Sequence, residues 1–97
     1  MSRRVVRWTR RATLRLDQIG DHILSDNPAA AGRVIARIVS AADNLGEQPN
    51  MGRPGRIGGT QELVFPDIPY IVAYHVTASA VEILTVMHGA QRWPDKL

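Results

Sequence analysis

Two helical segments, each apolar on one side only, limit what this chain can fold into. Apolar residues of the first segment recur at intervals of four, three and four positions, at Ala12, Leu16, Ile19 and Ile23. Those of the second segment share one side of a helix, at Ala31, Val34, Ile35, Ile38, Ala42 and Leu45. Thr9 suits the N-cap of the first helix, and Asn27-Pro28 suits the start of the second. The pattern predicts an antiparallel helical hairpin that must pack against another layer, because each helix has a single apolar stripe.

The second half of the chain can supply that layer. Residues 48–59 contain four glycines and two prolines, which predicts a loop. Three β-rich runs follow at Thr60–Phe65, Tyr70–Val76 and Val81–His88, and Arg4–Trp8 suits a short first strand. The order βααβββ predicts an α+β fold, with an antiparallel sheet and the N-terminal helical hairpin packed on one face. The other face of the sheet is then partly free for function.

Length and composition narrow the class of protein. A chain of 97 residues is enough for one domain, and we expect residues 1–97 to form it. There is no cysteine, so disulfides and thiolate metal sites are excluded, and the three histidines lack the spacing of a metal site. We expect no cofactor and no metal. Since there is neither an apolar run of about 18 residues nor an apolar signal segment, we expect a cytoplasmic protein.

Positive charge is concentrated at the start of the chain. Residues 1–15 contain six arginines and no acidic residue: Arg3, Arg4, Arg7, Arg10, Arg11 and Arg15. Residues 16–97 hold the remaining six basic side chains and all nine acidic ones, a net charge of −3. Arg10 and Arg11 oppose the dipole of the first helix by about 0.3–1 kcal/mol each, and Leu14 lies on the polar face of that helix. The asymmetry indicates either a polyanionic partner or an acidic protein partner.

Two segments that flank the predicted sheet contain candidate functional residues. The loop before the sheet carries Arg53 and Arg56 among glycines and prolines. It is either an anion-binding or partner-binding loop or a tight turn with solvated arginines. His88 ends the last predicted strand and precedes Arg92 and Trp93. A histidine in that position either acts as a general acid or base near neutral pH or hydrogen-bonds the local turn.

Seven short segments follow one another along the chain: Trp8-Thr9, Asp26–Ala31, Gly52–Arg56, Glu62–Val64, Tyr70–Tyr74, Val81–Leu84 and His88–Pro94. Together, from about Val6 to Pro94, they resemble the RelE/ParE superfamily of small bacterial toxins from type II toxin–antitoxin modules, also labelled plasmid stabilisation proteins. The resemblance implies the βααβββ fold. It also implies a cognate antitoxin whose C-terminal segment wraps around the toxin and neutralises it.

The superfamily contains two mechanisms. RelE-like and YoeB-like members cut mRNA in the ribosome, whereas ParE-like members poison DNA gyrase. YoeB-like members carry a glutamate in the loop before the sheet, an arginine at the start of the middle strand of the C-terminal hairpin, and a histidine, often followed by tyrosine, at the end of the last strand. In this sequence the glutamate position falls near Gly55 and the arginine position near Pro69-Tyr70. The histidine position matches His88, but the residue that follows it is Gly89. RelE itself relies on several lysines, whereas the only lysine of this chain is Lys96. Because one of these four positions matches, the resemblance favours a ParE-like gyrase poison over an enzyme.

We therefore expect a toxin that acts on DNA gyrase by protein–protein contact and is held inactive by its antitoxin. The predicted target-binding residues are Arg53, Arg56, His88, Arg92 and Trp93. The residues predicted to bind an acidic or amphipathic antitoxin segment are Arg3, Arg4, Arg7, Arg10, Arg11 and Leu14. The alternative is a ribosome-dependent mRNA endonuclease that uses His88, Arg53, Arg56 and Arg92. A non-toxic binding module is a third possibility.

Overall fold

The computed structural model describes residues 3–94, which form two helices and five strands. In chain order they are β1 (Val5–Trp8), α1 (Arg10–Asp26), α2 (Pro28–Asn44), β2 (Arg53–Pro54), β3 (Gln61–Val64), β4 (Tyr70–Val76) and β5 (Ala80–His88). Both helices and four of the strands confirm the elements predicted from the sequence. β2 is an additional two-residue strand inside the predicted loop, formed because it pairs with β3. No helix among the described residues is long and apolar enough to cross a membrane.

The start of each helix is capped as predicted. Thr9 Oγ1 accepts the backbone N–H of Ala12 at 3.1 Å and donates to the carbonyl of Ile83 in β5 at 2.8 Å. Asn27 Oδ1 accepts the backbone N–H of Ala30 at 3.2 Å. A cap of this kind contributes about 1 kcal/mol of stability. The Thr9 cap also attaches the start of α1 to the sheet.

The five strands lie in the order β1-β5-β4-β3-β2. Strands β3 to β5 pair antiparallel, as predicted, and the additional β2 also pairs antiparallel with β3. β1, however, runs parallel to β5, so the sheet is mixed and not wholly antiparallel. The helical hairpin formed by α1 and α2 returns the chain to the start of β1, where the N–H of Arg4 donates to the carbonyl of Gly46 at 2.9 Å. β3 therefore starts from the same end as β1, and two further reversals give β5 the direction of β1. The long intervening chain satisfies the crossover that a parallel pair requires.

The helical hairpin packs on one face of the sheet, as predicted. Tyr70, Val72 and Tyr74 of β4 belong to the buried apolar cluster that includes Ile19 of α1 and Ile38 of α2. We call this side of the sheet the helix face. Because side chains alternate along a strand, the residues between them lie on the opposite side, the far face. Ala73 of β4, with its cross-strand neighbours Glu62 and Thr85, defines the far face.

Candidate functional site

The arginine-bearing loop is attached to the sheet through the hydroxyl of Tyr74. This hydroxyl accepts the backbone N–H of Gly52 and donates to the carbonyl of Pro49, both at 2.8 Å. Burial raises the pKa of Tyr74, so the phenol keeps its donor proton at neutral pH. A Cβ atom at position 52 would lie 2.6 Å from the Tyr74 hydroxyl and 2.7 Å from the carbonyl oxygen of Glu62. The close approach of loop and sheet therefore requires glycine at this position.

Glu62 fixes both arginines of the loop. Its side chain is 1% exposed, and Oε1 accepts from the Arg53 guanidinium at 3.0 and 3.3 Å. The other oxygen, Oε2, accepts the backbone N–H of Arg56 at 2.9 Å and lies 3.5 Å from its Nε. The arginine side chains remain 54% and 41% exposed. A buried carboxylate thus holds two cations at the surface, with a net charge of +1 for the three groups.

The C-terminal tail joins this group through Trp93. The guanidinium carbon of Arg56 lies 4.1 Å from the centroid of the indole ring. A cation–π contact at a partly exposed site is worth about 0.5–2 kcal/mol. We refer to Arg53, Arg56, Glu62 and Trp93 as the arginine–tryptophan cluster. Arg92, next to Trp93, is exposed and adds a further cation to the same tail.

His88 lies on the other face of the sheet. Directly paired residues of antiparallel strands project to one side, and Glu62 pairs with Ala73 whereas His88 pairs with Tyr70. Ala73 and Tyr70 are separated by an odd number of positions in β4, so they face opposite sides. The structure therefore brings Arg53, Arg56 and Trp93 together but leaves His88 on the helix face.

His88 hydrogen-bonds the local turn, which is one of the two roles predicted for it. Its Nδ1 accepts the backbone N–H of Ala90 at 3.1 Å, and its own backbone N–H donates to Oε1 of Gln91 at 3.0 Å. The ring meets Tyr70 edge to face, with ring centroids 5.5 Å apart. His88 consequently belongs to the helix face, together with residues of α1, and not to the arginine–tryptophan cluster.

Two of the arginines predicted to bind an antitoxin, Arg3 and Arg4, bond instead to their own chain. Arg3 contacts the carboxylates of Asp43 and Glu47, each at 2.9 Å. The hydrogen bond that Arg3 donates to Asp43, with a smaller effect of Glu47, raises the pKa of Arg3. Arg4 is half-buried, and its Nε donates to the carbonyl of Thr77 at 3.0 Å. These two residues therefore attach the start of the chain to α2 and to the β4–β5 turn.

The remaining residues predicted to bind an antitoxin lie at the surface. Arg7 is exposed in β1, and Arg10 and Arg11 are exposed in the first turn of α1. Leu14 is 50% exposed on the same helix. These four side chains, unlike Arg3 and Arg4, leave their charge or apolar surface available to a partner.

Sequence reasoning missed two residues of these sites. The pairing of Glu62 with the loop arginines is not among the predictions, although a carboxylate inside an apolar strand just after two loop arginines is a usable signal for a buried ion pair. Arg15 was counted only as part of the N-terminal charge, yet its guanidinium contacts Gln91 beside His88. Its proximity to β5 depends on how α1 crosses the sheet, which the local pattern does not encode.

The family model and the relatives that this chain resembles in sequence are all described as toxins. A family model described as "ParE toxin of type II toxin-antitoxin system, parDE" matches residues 6–93. The chain is 58% identical over 97 residues to "Putative toxin Y4kP" of Sinorhizobium fredii, covering all of both chains. It is 37% identical over 84 residues to "Toxin RelE2" of Caulobacter vibrioides, covering 87% of this chain and 93% of that protein.

Solved structures share the fold. A chain of the chromosomal ParDE system from P. aeruginosa superposes with a TM-score of 0.80 at 26% identity, covering 88% of this chain and 95% of that one. A chain of the toxin–antitoxin complex RelBE2 from Mycobacterium tuberculosis superposes with a TM-score of 0.67, also at 26% identity, covering 89% and 98%. Both similarities extend over nearly the whole described chain and support the predicted α+β fold.

Proposed function

The chain belongs to the ParE toxin family of type II toxin–antitoxin systems, within the RelE/ParE superfamily, and from this premise we propose that it arrests growth by poisoning DNA gyrase. In this proposal the toxin acts in the cytoplasm by protein–protein contact, and a cognate antitoxin neutralises it.

The arginine–tryptophan cluster is the observation that carries this proposal. Arginine and tryptophan are the residues most often found as energetic anchors of protein interfaces. Glu62 holds Arg53 and Arg56 in place before any partner binds, which lowers the entropy cost of ordering them in a complex. We propose that this cluster, with the neighbouring Arg92, is the contact surface for gyrase.

The separation of His88 from the cluster favours gyrase binding over RNA cleavage. Cleavage of an RNA phosphodiester needs a base, an acid and cationic stabilisation at a single phosphate. The set considered for an endonuclease, His88 with Arg53, Arg56 and Arg92, does not converge on one point, because His88 lies on the helix face whereas Glu62, which holds Arg53 and Arg56, lies on the far face.

A ribosome-dependent mRNA endonuclease is the second candidate. Two observations favour it: one relative is named RelE2, and His88 lines a cleft together with Arg15. An endonuclease built on this cleft would need groups other than the loop arginines. We rank it below gyrase poisoning for that reason.

The antitoxin is proposed to approach the exposed N-terminal cations. The solved relatives come from a ParDE system and from a RelBE2 complex, which supports a protein partner of the same kind for this chain. Arg7, Arg10 and Arg11 would attract an acidic segment, and Leu14 would contact an apolar residue of that segment.

Two variants separate the candidates. The wild-type chain is added to purified DNA gyrase with supercoiled plasmid, and, separately, mRNA ends are mapped after its expression in a bacterial host. We expect gyrase–DNA cleavage complexes without codon-phased mRNA cuts, strongly reduced by Arg56→Gln and retained in His88→Gln. Codon-phased cuts that depend on His88 would instead support the endonuclease. No growth arrest by the chain without its antitoxin would favour a non-toxic binding module.

A further inference from the structure

A cleft of about 310 Å³ lies on the helix face, between α1, the start of β4 and the end of β5. It is lined by Arg15, Gln18, Ile19, His22, Tyr70, His88 and Gln91. Six of these seven side chains carry a hydrogen-bond donor, the exception being Ile19, and none is a carboxylate. The volume lies at the lower end of the range of small-molecule pockets.

Arg15 brings an unneutralised charge to the cleft. Its guanidinium donates to Oε1 of Gln18 at 2.9 Å, to Oε1 of Gln91 at 3.1 Å and to the carbonyl of Val86 at 3.4 Å. All three acceptors are neutral, and within residues 3–94 no carboxylate forms a salt bridge with Arg15. Three of its five N–H groups are used, which leaves two for a ligand. A half-buried guanidinium that is bonded only to neutral acceptors and has two free N–H groups favours the binding of an anion.

His88 adds a donor of defined position. Because Nδ1 accepts the backbone N–H of Ala90, the neutral ring carries its proton on Nε2. The phenol of Tyr70 and the imidazole of His22 contribute further donors to the same walls. The cleft thus combines a fixed positive charge with several neutral donors.

We propose that this cleft binds the phosphate group of a small molecule, either inorganic phosphate or the phosphate monoester of a mononucleotide. A carboxylate offers two oxygens, whereas a phosphate offers three or four, which better matches the donors that line the cleft, namely those of Arg15, His22, Tyr70 and His88. The site is separate from the arginine–tryptophan cluster and does not depend on gyrase as the target. Gln91 connects the cleft with the C-terminal tail, and its side chain also orients Arg15.

The proposal can be tested by NMR on the full chain. Ring resonances of His22 and His88 are followed during titration with sodium phosphate, with sodium chloride as the control at matched ionic strength. We expect a saturable shift of both histidines with phosphate only. Uridine monophosphate and uridine form a second pair of titrations. Tighter binding of uridine monophosphate than of inorganic phosphate identifies a nucleotide ligand, and equal affinity for the two identifies the free anion. Binding of uridine, which has no phosphate, would overturn the proposal.

Variants test the contribution of each donor. Arg15→Gln should weaken phosphate binding about tenfold or more, since it removes a charged hydrogen-bond donor. Tyr70→Phe keeps the packed ring and should weaken binding by roughly threefold to tenfold through loss of one neutral hydrogen bond. Arg33→Gln, an exposed arginine of α2 outside the cleft, should bind as the wild type does. Equal affinity of the wild type, Arg15→Gln and Tyr70→Phe would overturn the proposal.

Discussion

The guanidinium of Arg56 stacks on the indole of Trp93, 4.1 Å from the ring centroid, and so joins the loop before the sheet to the tail after it. Neither residue lies in a helix or in one of the long strands. The contact is nevertheless well oriented, because Glu62 binds the backbone and the side chain of Arg56 at the same time. Two irregular segments thereby form one surface.

Removing the indole should weaken the toxin at its target. We expect Trp93→Ala to reduce gyrase poisoning by about 30-fold or more, the loss typical of an interface anchor. Trp93→Phe retains an aromatic face for Arg56 and should lose less. The measurement is the toxin concentration that gives half-maximal gyrase–DNA cleavage.

The control for this prediction is Leu24→Ala. Leu24 is another large apolar side chain, 52% exposed, on α1 and away from the cluster. It should leave the half-maximal concentration unchanged. Wild-type potency of Trp93→Ala, with its fold intact by circular dichroism, would remove Trp93 from the contact surface.

A methyl group at position 52 should destabilise the fold. Gly52→Ala would place Cβ 2.6 Å from the Tyr74 hydroxyl and 2.7 Å from a backbone oxygen of Glu62, so the loop must move. We expect a loss of about 1–3 kcal/mol in the free energy of unfolding, as for other overpacked sites. Urea denaturation measures it. Gly58→Ala, with no neighbouring atom within 4 Å, is the matched control and should be neutral or slightly stabilising.

The Tyr74 hydroxyl should make stability depend on pH in the alkaline range. Its pKa in the folded chain lies above the ordinary value of 10.0 because of burial. A raised pKa means that the phenol's contribution is complete below pH 10 and is lost as the pH rises through the folded-state pKa. Tyr74→Phe should cost about 1–3 kcal/mol at pH 7, since two backbone groups lose their partner.

The measurement is urea denaturation at pH 7 and at a series of values above pH 10. The gap between the wild type and Tyr74→Phe should narrow as the pH rises, because only the wild type can lose this contribution. Tyr70→Phe leaves Tyr74 intact, so it should lose the contribution of Tyr74 to the free energy of unfolding above pH 10 as the wild type does. A constant gap across the series would contradict the assignment.

Most of the fold follows from local periodicity, but two features of the sheet do not. The apolar stripes and the capping residues Thr9 and Asn27 predicted both helices and the residue at which each begins. β2 has only two residues and exists because Arg53 pairs with Glu62, so no local pattern could indicate it. The parallel pairing of β1 with β5 joins distant parts of the chain and depends on where the helical hairpin ends.

The position of His88 shows why the site was only partly predictable. Val81 and Ile83 face the helices, and strict alternation from them would place His88 on the far face, beside the loop arginines. The pairing of β4 with β5 shifts register between Ala73 and Tyr74, so that β5 has one extra residue there and Val86 returns to the helix face. This β-bulge moves His88 to the opposite side. Composition gives no signal for it.

The exposed N-terminal arginines should accelerate antitoxin binding. Arg3 and Arg4 bond within the chain, so the sharper test neutralises Arg7, Arg10 and Arg11 together, each to glutamine. We expect the association rate with the cognate antitoxin to fall about tenfold at low salt, with a weaker dependence on ionic strength, because charge steers the encounter. The fold should not suffer, since cations in the first turn of a helix oppose its dipole.

Stopped-flow or surface-binding kinetics at two salt concentrations measure this change, and growth arrest without antitoxin measures toxicity. Toxicity should remain close to that of the wild type, because these arginines lie outside the arginine–tryptophan cluster. Arg33→Gln is the control, since it removes one exposed arginine from α2 and should leave both readouts unchanged. The assignment fails if the triple variant loses toxicity but binds antitoxin at the wild-type rate, because the N-terminal cations would then belong to the target contact.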